Sequence, residues 1–170
     1  MKSVQTINEA NIEGMEIDKN LLEEAIAELV HAIKEKLIAR GEMMATAESC
    51  TGGLCAATLV NVTNASSVLD VSFVTYANEA KVDYVSVQPE TIEAYGVVSE
   101  EVAFEMALGV ANAAKSEIGV GITGIAGPGG ATATKPVGMV CFGFCINGDY
   151  EVTFNANTGT GTMENQTIVD

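Results

Sequence analysis

Apolar positions along the chain fall into two kinds of pattern. Between 18 and 40, Leu21, Leu22, Ala25, Ile26, Leu29, Val30, Ile33 and Leu37 recur at intervals of three and four, the spacing of an amphipathic helix. Gly41 stops it. Residues 43–47 are a short apolar run that predicts a buried strand, and the Ala-rich stretch 54–60 predicts a helix. The polar segment Glu48-Ser49-Cys50-Thr51-Gly52-Gly53 therefore links strand to helix, where the free amides of a helix start point outward.

Residues 68–76, rich in Val and bounded by polar turns, predict a second strand with Val74 and Tyr76 on one face. Short helices are expected at 78–86 and 88–95, the second closed by Gly96. Ser99 followed by Glu100 and Glu101 marks a capped helix start, with acids at the positive end of the dipole, and that helix should run to about 116. A strand at 118–123 opens onto Gly124-Ile125-Ala126-Gly127-Pro128-Gly129-Gly130. The stretches 137–146 and 150–155 flank Asn147-Gly148, a hairpin turn dipeptide. Strands alternating with helices before a final hairpin predict an α/β fold, a single three-layer domain with a mixed sheet.

A length of 170 residues, 48% of them hydrophobic, supports one such domain with a sizeable core and excludes two ordinary ones. Residues 1–17 read as a polar N-terminal extension and 18–170 as the domain. The net charge of −15 leaves only Lys81, Lys115 and Lys135 as cations after Arg40. Binding DNA or RNA needs a basic footprint, and none is present, so no nucleic-acid partner is expected. The first residues lack a signal-like charged and apolar pattern, and the apolar runs fall short of the roughly 20 residues that span a bilayer. The expectation is a soluble, cytoplasmic protein with no membrane partner.

The residues available for chemistry narrow the choice. His31, the only histidine, sits in the first amphipathic helix, which disfavours Ser-His-Asp and Cys-His sites. Cys50, Cys55, Cys141 and Cys145 show no metal-binding spacing and read as free thiols. Neither glycine-rich segment closes with the Lys-Ser/Thr pair of a Walker loop or carries the dinucleotide spacing. No metal or cofactor is expected. Ser49, in the strand-to-helix loop, and Lys81, just past a strand end, remain as a possible nucleophile and base, since a lysine held neutral can take a hydroxyl proton. The amides of Thr51, Gly52 and Gly53 would then serve an oxyanion or a phosphate. The residues alone leave a second reading open, in which Ser49 and Thr51 only cap the next helix and Lys81 is a solvated surface charge.

Thr46-Ala47-Glu48-Ser49-Cys50-Thr51-Gly52-Gly53, Phe73-Val74-Thr75-Tyr76-Ala77-Asn78-Glu79-Ala80-Lys81, Gly96-Val97-Val98-Ser99-Glu100, the 124–130 loop and Lys135-Pro136-Val137-Gly138 occur in one order along the chain. Together they resemble the CinA C-terminal family. The resemblance implies a three-layer α/β/α domain, usually dimeric, that hydrolyses the carboxamide of nicotinamide mononucleotide to nicotinate mononucleotide and ammonia without metal or cofactor. It implies Ser49 as nucleophile, Lys81 as general base and Tyr76 as a hydroxyl that orients or relays between them. Substrate contacts are expected from Cys50, Thr51, Gly52, Gly53, Asn78, Thr123, Gly124, Ala126, Gly127 and Lys135.

Two further expectations follow from the same resemblance. Glu48 and Glu79 would oppose a neutral Lys81, so their carboxylates should point away from it or pair with other groups. Residues 157–170 contain no Lys or Arg, where members of the family carry arginines and a closing helix. The closing helix is therefore expected to be short or missing, and a substrate phosphate is left to loop amides and Lys135.

Overall fold

A computed structural model describes residues 18–156 and 166–168 of the chain. The 1–17 extension and most of the 157–170 segment lie outside the described residues. Helix α1 spans Lys19–Arg40, with the Asp18 carboxylate accepting from the amides of Asn20 and Leu21 and Gly41 closing it in the left-handed region at φ 66°. Strand β1 is Met44–Glu48, followed by α2 (Leu54–Val60), a short 3-10 turn at Ala65–Ser67 and β2 (Leu69–Val74). Then come α3 (Asn78–Val85), α4 (Pro89–Tyr95), α5 (Glu100–Ala114) and β3 (Ile118–Gly124). The chain continues through β4 (Met139–Ile146), β5 (Asp149–Ala156) and β6 (Gln166–Ile168).

The strands form one mixed sheet in the order β2-β1-β3-β4-β5-β6. β1 runs parallel to both β2 and β3, whereas β3, β4, β5 and β6 pair antiparallel. The expected α/β/α layering is present. On one face Met44 of β1 and Val120 and Ile122 of β3 pack with Val30, Leu37 and Leu59 of α1 and α2. On the other, Ala45 and Ala47 pack with Val85 of α3 and with Val102, Met106 and Val110 of α5. Every residue of β1 is buried, because helices cover both faces of it.

The close fit of α5 onto the sheet depends on missing side chains. A Cβ at Gly119, Gly121 or Gly143 would be driven into the backbone carbonyls of Ala107 or Ala103. Ser99 caps α5, its hydroxyl accepting from the Val102 amide at 3.2 Å, as its sequence position suggested.

Two local readings are corrected. β2 ends at Val74, so Tyr76 lies past it in the segment leading to α3 and shares no strand face with Val74. The apolar row of α1 is only partly used: Val30, Lys34 and Leu37 are buried, while Leu21, Leu22, Ile26, Leu29 and Ile33 are exposed. Only the part of α1 carrying the buried residues meets the core, so spacing alone overstated its burial. Where a closing helix was in question, residues 166–168 form the edge strand β6, paired to β5.

Candidate active site

The parallel strands β1 and β2 deliver their C-terminal ends side by side, the usual place for a site in an open α/β sheet. The Ser49 amide donates to the Ile122 carbonyl at 3.0 Å, keeping residue 49 on the line of β1 beside β3. The chain then turns through Gly52 and Gly53, at φ 60° and 97°, conformations that favour glycine. The Gly52 amide closes this turn on the Ser49 carbonyl at 3.1 Å. Next to it, the Thr75 amide donates to the Glu48 carbonyl at 2.8 Å, carrying the segment from β2 into α3 alongside.

Lys81, on α3, has no exposed surface. Its Nζ lies 3.1 Å from Ser49 Oγ, 2.7 Å from the Thr75 carbonyl and 3.4 Å from the Tyr76 carbonyl. Serine and lysine, 32 positions apart in the chain, are thus in direct contact. Burial pushes the Lys81 amine below its ordinary value, with the neighbouring Cys50 opposing when it is ionised. No carboxylate among the described residues lies within ion-pair distance of it. A neutral amine fits these partners fully: two N–H groups reach the two carbonyls, and the lone pair faces the serine hydroxyl. After gaining a proton, the ammonium still has three acceptors. The solvated-lysine reading is excluded by this burial, and the residue that caps α2 is Gly53, so Ser49 is not its cap.

Glu48 behaves as expected of a carboxylate that must not face Lys81. It is fully buried, and its Oε2 accepts from the amides of Gly53 and Cys55 at 3.1 and 3.0 Å. Oε1 accepts from the Ala56 amide at 2.8 Å and the Thr46 hydroxyl at 3.3 Å. This corrects the assignment of anion-holding amides at Gly52 and Gly53. The Gly53 amide serves Glu48, the Gly52 amide serves Ser49, and none of Thr51, Gly52 and Gly53 lines the cleft. The amides of Cys50 and Thr51 act instead on the Cys50 thiol, pulling it down.

A cleft of about 550 Å³ opens over the pair. Ser49, Cys50, Tyr76, Asn78, Lys81, Thr123, Gly124, Ala126, Gly127 and Lys135 all line it, together with Gly96, Val97, Val98, Ile125, Gly129, Gly130 and Thr132. Three of these also make contacts that the sequence did not indicate. Tyr76 is 75% exposed, and the contact this residue makes with Lys81 is through its carbonyl, not its hydroxyl. The Thr123 hydroxyl donates to the Val97 carbonyl at 2.9 Å, supporting the opposite wall. Lys135 Nζ donates to the carbonyls of Tyr95 and Val98, both at 2.6 Å, clasping the loop around Gly96. Loop 96–98 was visible in the sequence only as part of a motif; its role as a wall depends on these two side chains reaching it. His31 is exposed on α1, 3.9 Å from Glu35, and does not line the cleft.

The Cys50 thiol is raised above its ordinary value, chiefly by burial, although Lys81 and the amides of Cys50 and Thr51 pull it down. Cys55 is pushed up to about 11 and Cys141 to about 12, again by burial. Thiolate chemistry is disfavoured at all three. Among the described residues no cluster of His, Cys, Asp or Glu could hold a metal ion, and no helix is long and apolar enough to cross a membrane.

These features define an α/β domain whose buried serine–lysine pair sits at the floor of a glycine-walled cleft. The model of the CinA C-terminal domain matches residues 26–169, and the chain belongs to that family. A putative competence-damage inducible protein of Alkaliphilus metalliredigens is 49% identical over 123 residues, covering 72% of this chain and 30% of that protein. A protein of the same description from Clostridium perfringens is 43% identical over 152 residues, 89% of this chain and 37% of its own length. The chain therefore spans about a third of these curated relatives. Among solved structures, the competence/damage inducible protein CihA of Agrobacterium tumefaciens is 41% identical with a TM-score of 0.75, covering 79% of this chain and 83% of that one. A CinA superfamily protein of Escherichia coli is 33% identical with a TM-score of 0.77, covering 91% and 87%.

Proposed function

We propose that this domain is a metal-independent amidohydrolase that converts the carboxamide of nicotinamide mononucleotide to nicotinate mononucleotide and ammonia. The observation that carries the reading is the 3.1 Å contact between Ser49 Oγ and the fully buried Lys81 Nζ. Neutral Lys81 takes the Ser49 proton as Oγ attacks the carboxamide carbon, and the carbonyl oxygen becomes an oxyanion. This reading assigns that charge to the amides of Cys50 and Thr51, which also pull the cleft-lining Cys50 thiol down. Lys81 then returns its proton to the departing nitrogen, and the C–N bond breaks to release ammonia. Water, deprotonated by Lys81, attacks the acyl-Ser49 ester; the acid leaves and the proton goes back to Ser49. The carbonyls of Thr75 and Tyr76 hold Lys81 in place in both protonation states.

In this reading the nucleotide phosphate lies along the 124–130 wall near Lys135, because Glu48 already occupies the amides of α2. Tyr76 and Asn78 border the ring at the lip of the cleft. The protein works in the cytoplasm as a homodimer on a small-molecule substrate, and the exposed row of α1 supports pairing of two copies. A second reading, a nucleotide-binding module without turnover, is favoured by one feature. Among the described residues Lys135 is the only cation lining the cleft besides Lys81, and two of its three protons are held by carbonyls. Chromatographic identification of products separates the two: nicotinate mononucleotide and ammonia in equal amounts support the amidohydrolase. Saturable binding of intact nicotinamide mononucleotide without either product would establish the module.

A further inference from the structure

Residue 48 is linked to both halves of the serine–lysine pair, to Ser49 along the chain and to Lys81 through Thr75. Through its side chain it gathers the amides of Gly53, Cys55 and Ala56, drawing the first turn of α2 back beneath the end of β1. The four residues between are consequently held in the tight turn that presents Ser49 Oγ to the cleft. Through its main chain Glu48 accepts from the Thr75 amide at 2.8 Å, with the Thr75 hydroxyl at 3.5 Å. The Thr75 carbonyl in turn receives the shortest hydrogen bond of Lys81, 2.7 Å. The carboxylate itself has no exposed surface and does not line the cleft. It cannot meet substrate.

Resting on the amidohydrolase reading, we propose that Glu48 is a positioning residue: its buried carboxylate, by chelating three amides at the start of α2, sets the Ser49 hydroxyl at hydrogen-bond distance from Lys81. Glutamine is the informative replacement. It has nearly the same shape, yet its NH2 group must face at least one of the amide donors that the carboxylate satisfies, so the chelate opens. A glutamate with only a stabilising role would alter unfolding and leave the reactivity of the folded serine unchanged.

The test is the rate of Ser49 phosphonylation by a fluorophosphonate, followed by intact-protein mass spectrometry across pH, with thermal unfolding measured in parallel. This readout needs no natural substrate. Glu48→Gln is expected to lower the plateau labelling rate at least about tenfold at a temperature where the variant is folded. Its pH midpoint should stay or move upward as water reaches Lys81, whereas loss of the charge alone would move it downward. Labelling within about twofold of the parent, or a slowed rate with a lowered midpoint, overturns the proposal. If Glu48→Gln does not fold, Glu48→Asp decides the matter by the same criteria, since it keeps the charge but is one methylene short of the chelate. A parent that labels but releases no ammonia counts against the substrate and not against Glu48. A parent that does not label at Ser49 overturns both.

Discussion

Replacing Lys81 with methionine separates the base from the scaffold. Methionine has comparable length and fills the same buried space, but it neither accepts the Ser49 proton nor returns it. A positioned general base contributes about 10²- to 10⁴-fold, so kcat/KM should fall by that factor, equivalent to about 3–5 kcal/mol of transition-state stabilisation. Stability should respond very differently. The change orphans the buried Thr75 carbonyl, a loss of about 1–3 kcal/mol, while removing an amine whose burial is itself unfavourable, as its lowered pKa shows. These oppose each other, and a net change within about 2 kcal/mol moves Tm by no more than about 8 °C in a chain of this size. Lys81→Arg should not rescue activity, because a guanidinium stays protonated. The assay is initial-rate ammonia release beside a thermal melt. Activity retained within about fivefold in a folded Lys81→Met protein would refute the reasoning.

Other expectations follow from the same geometry. Because burial depresses the folded-state pKa of Lys81, the unfolded chain holds that proton at pH values where the folded chain has released it. The penalty is therefore full at low pH and fades as pH rises from the depressed value toward the ordinary 10.5. Urea titrations should show the parent gaining stability relative to Lys81→Met over that rise, and a constant difference would count against a buried amine. Lys135→Met removes both clasps on the Gly96 loop, so KM should rise more than kcat falls; steady-state kinetics reports the split. Gly121→Ala forces a Cβ into the Ala103 carbonyl of α5, and overpacking of this kind costs about 1–3 kcal/mol or more, readable as a Tm lower by several degrees. Leu29→Glu, on the exposed row of α1, should convert a dimer to a monomer in size-exclusion chromatography with light scattering.

The elements that hold the site were legible because each had a local cause. Ser99 followed by two acids placed the start of α5, Gly41 ended α1, and the alternation of short apolar runs with helical spacing implied the three layers. The contact of Ser49 with Lys81 was open to proposal but not to derivation, since it depends on β1 and β2 being parallel neighbours. The function of Glu48 was less accessible still. A carboxylate one residue from the nucleophile reads as an electrostatic threat to a neutral lysine, and only its position at the end of β1 turns it onto the amides of α2. That same choice removed the Gly53 amide from the anion-holding role the sequence invited. The Tyr76 contact to Lys81 was unreadable for a simpler reason: it is made by a backbone carbonyl, which every residue has. The exposed part of the α1 row shows the converse limit, because helical spacing marks an apolar face without saying what covers it.

Comparing Ser49→Ala with the parent in ammonia release from nicotinamide mononucleotide tests the nucleophile most directly. The account predicts a loss of at least about a thousandfold in the variant, with its melt unchanged within a few degrees. Ammonia produced by Ser49→Ala at the parent's rate would contradict it.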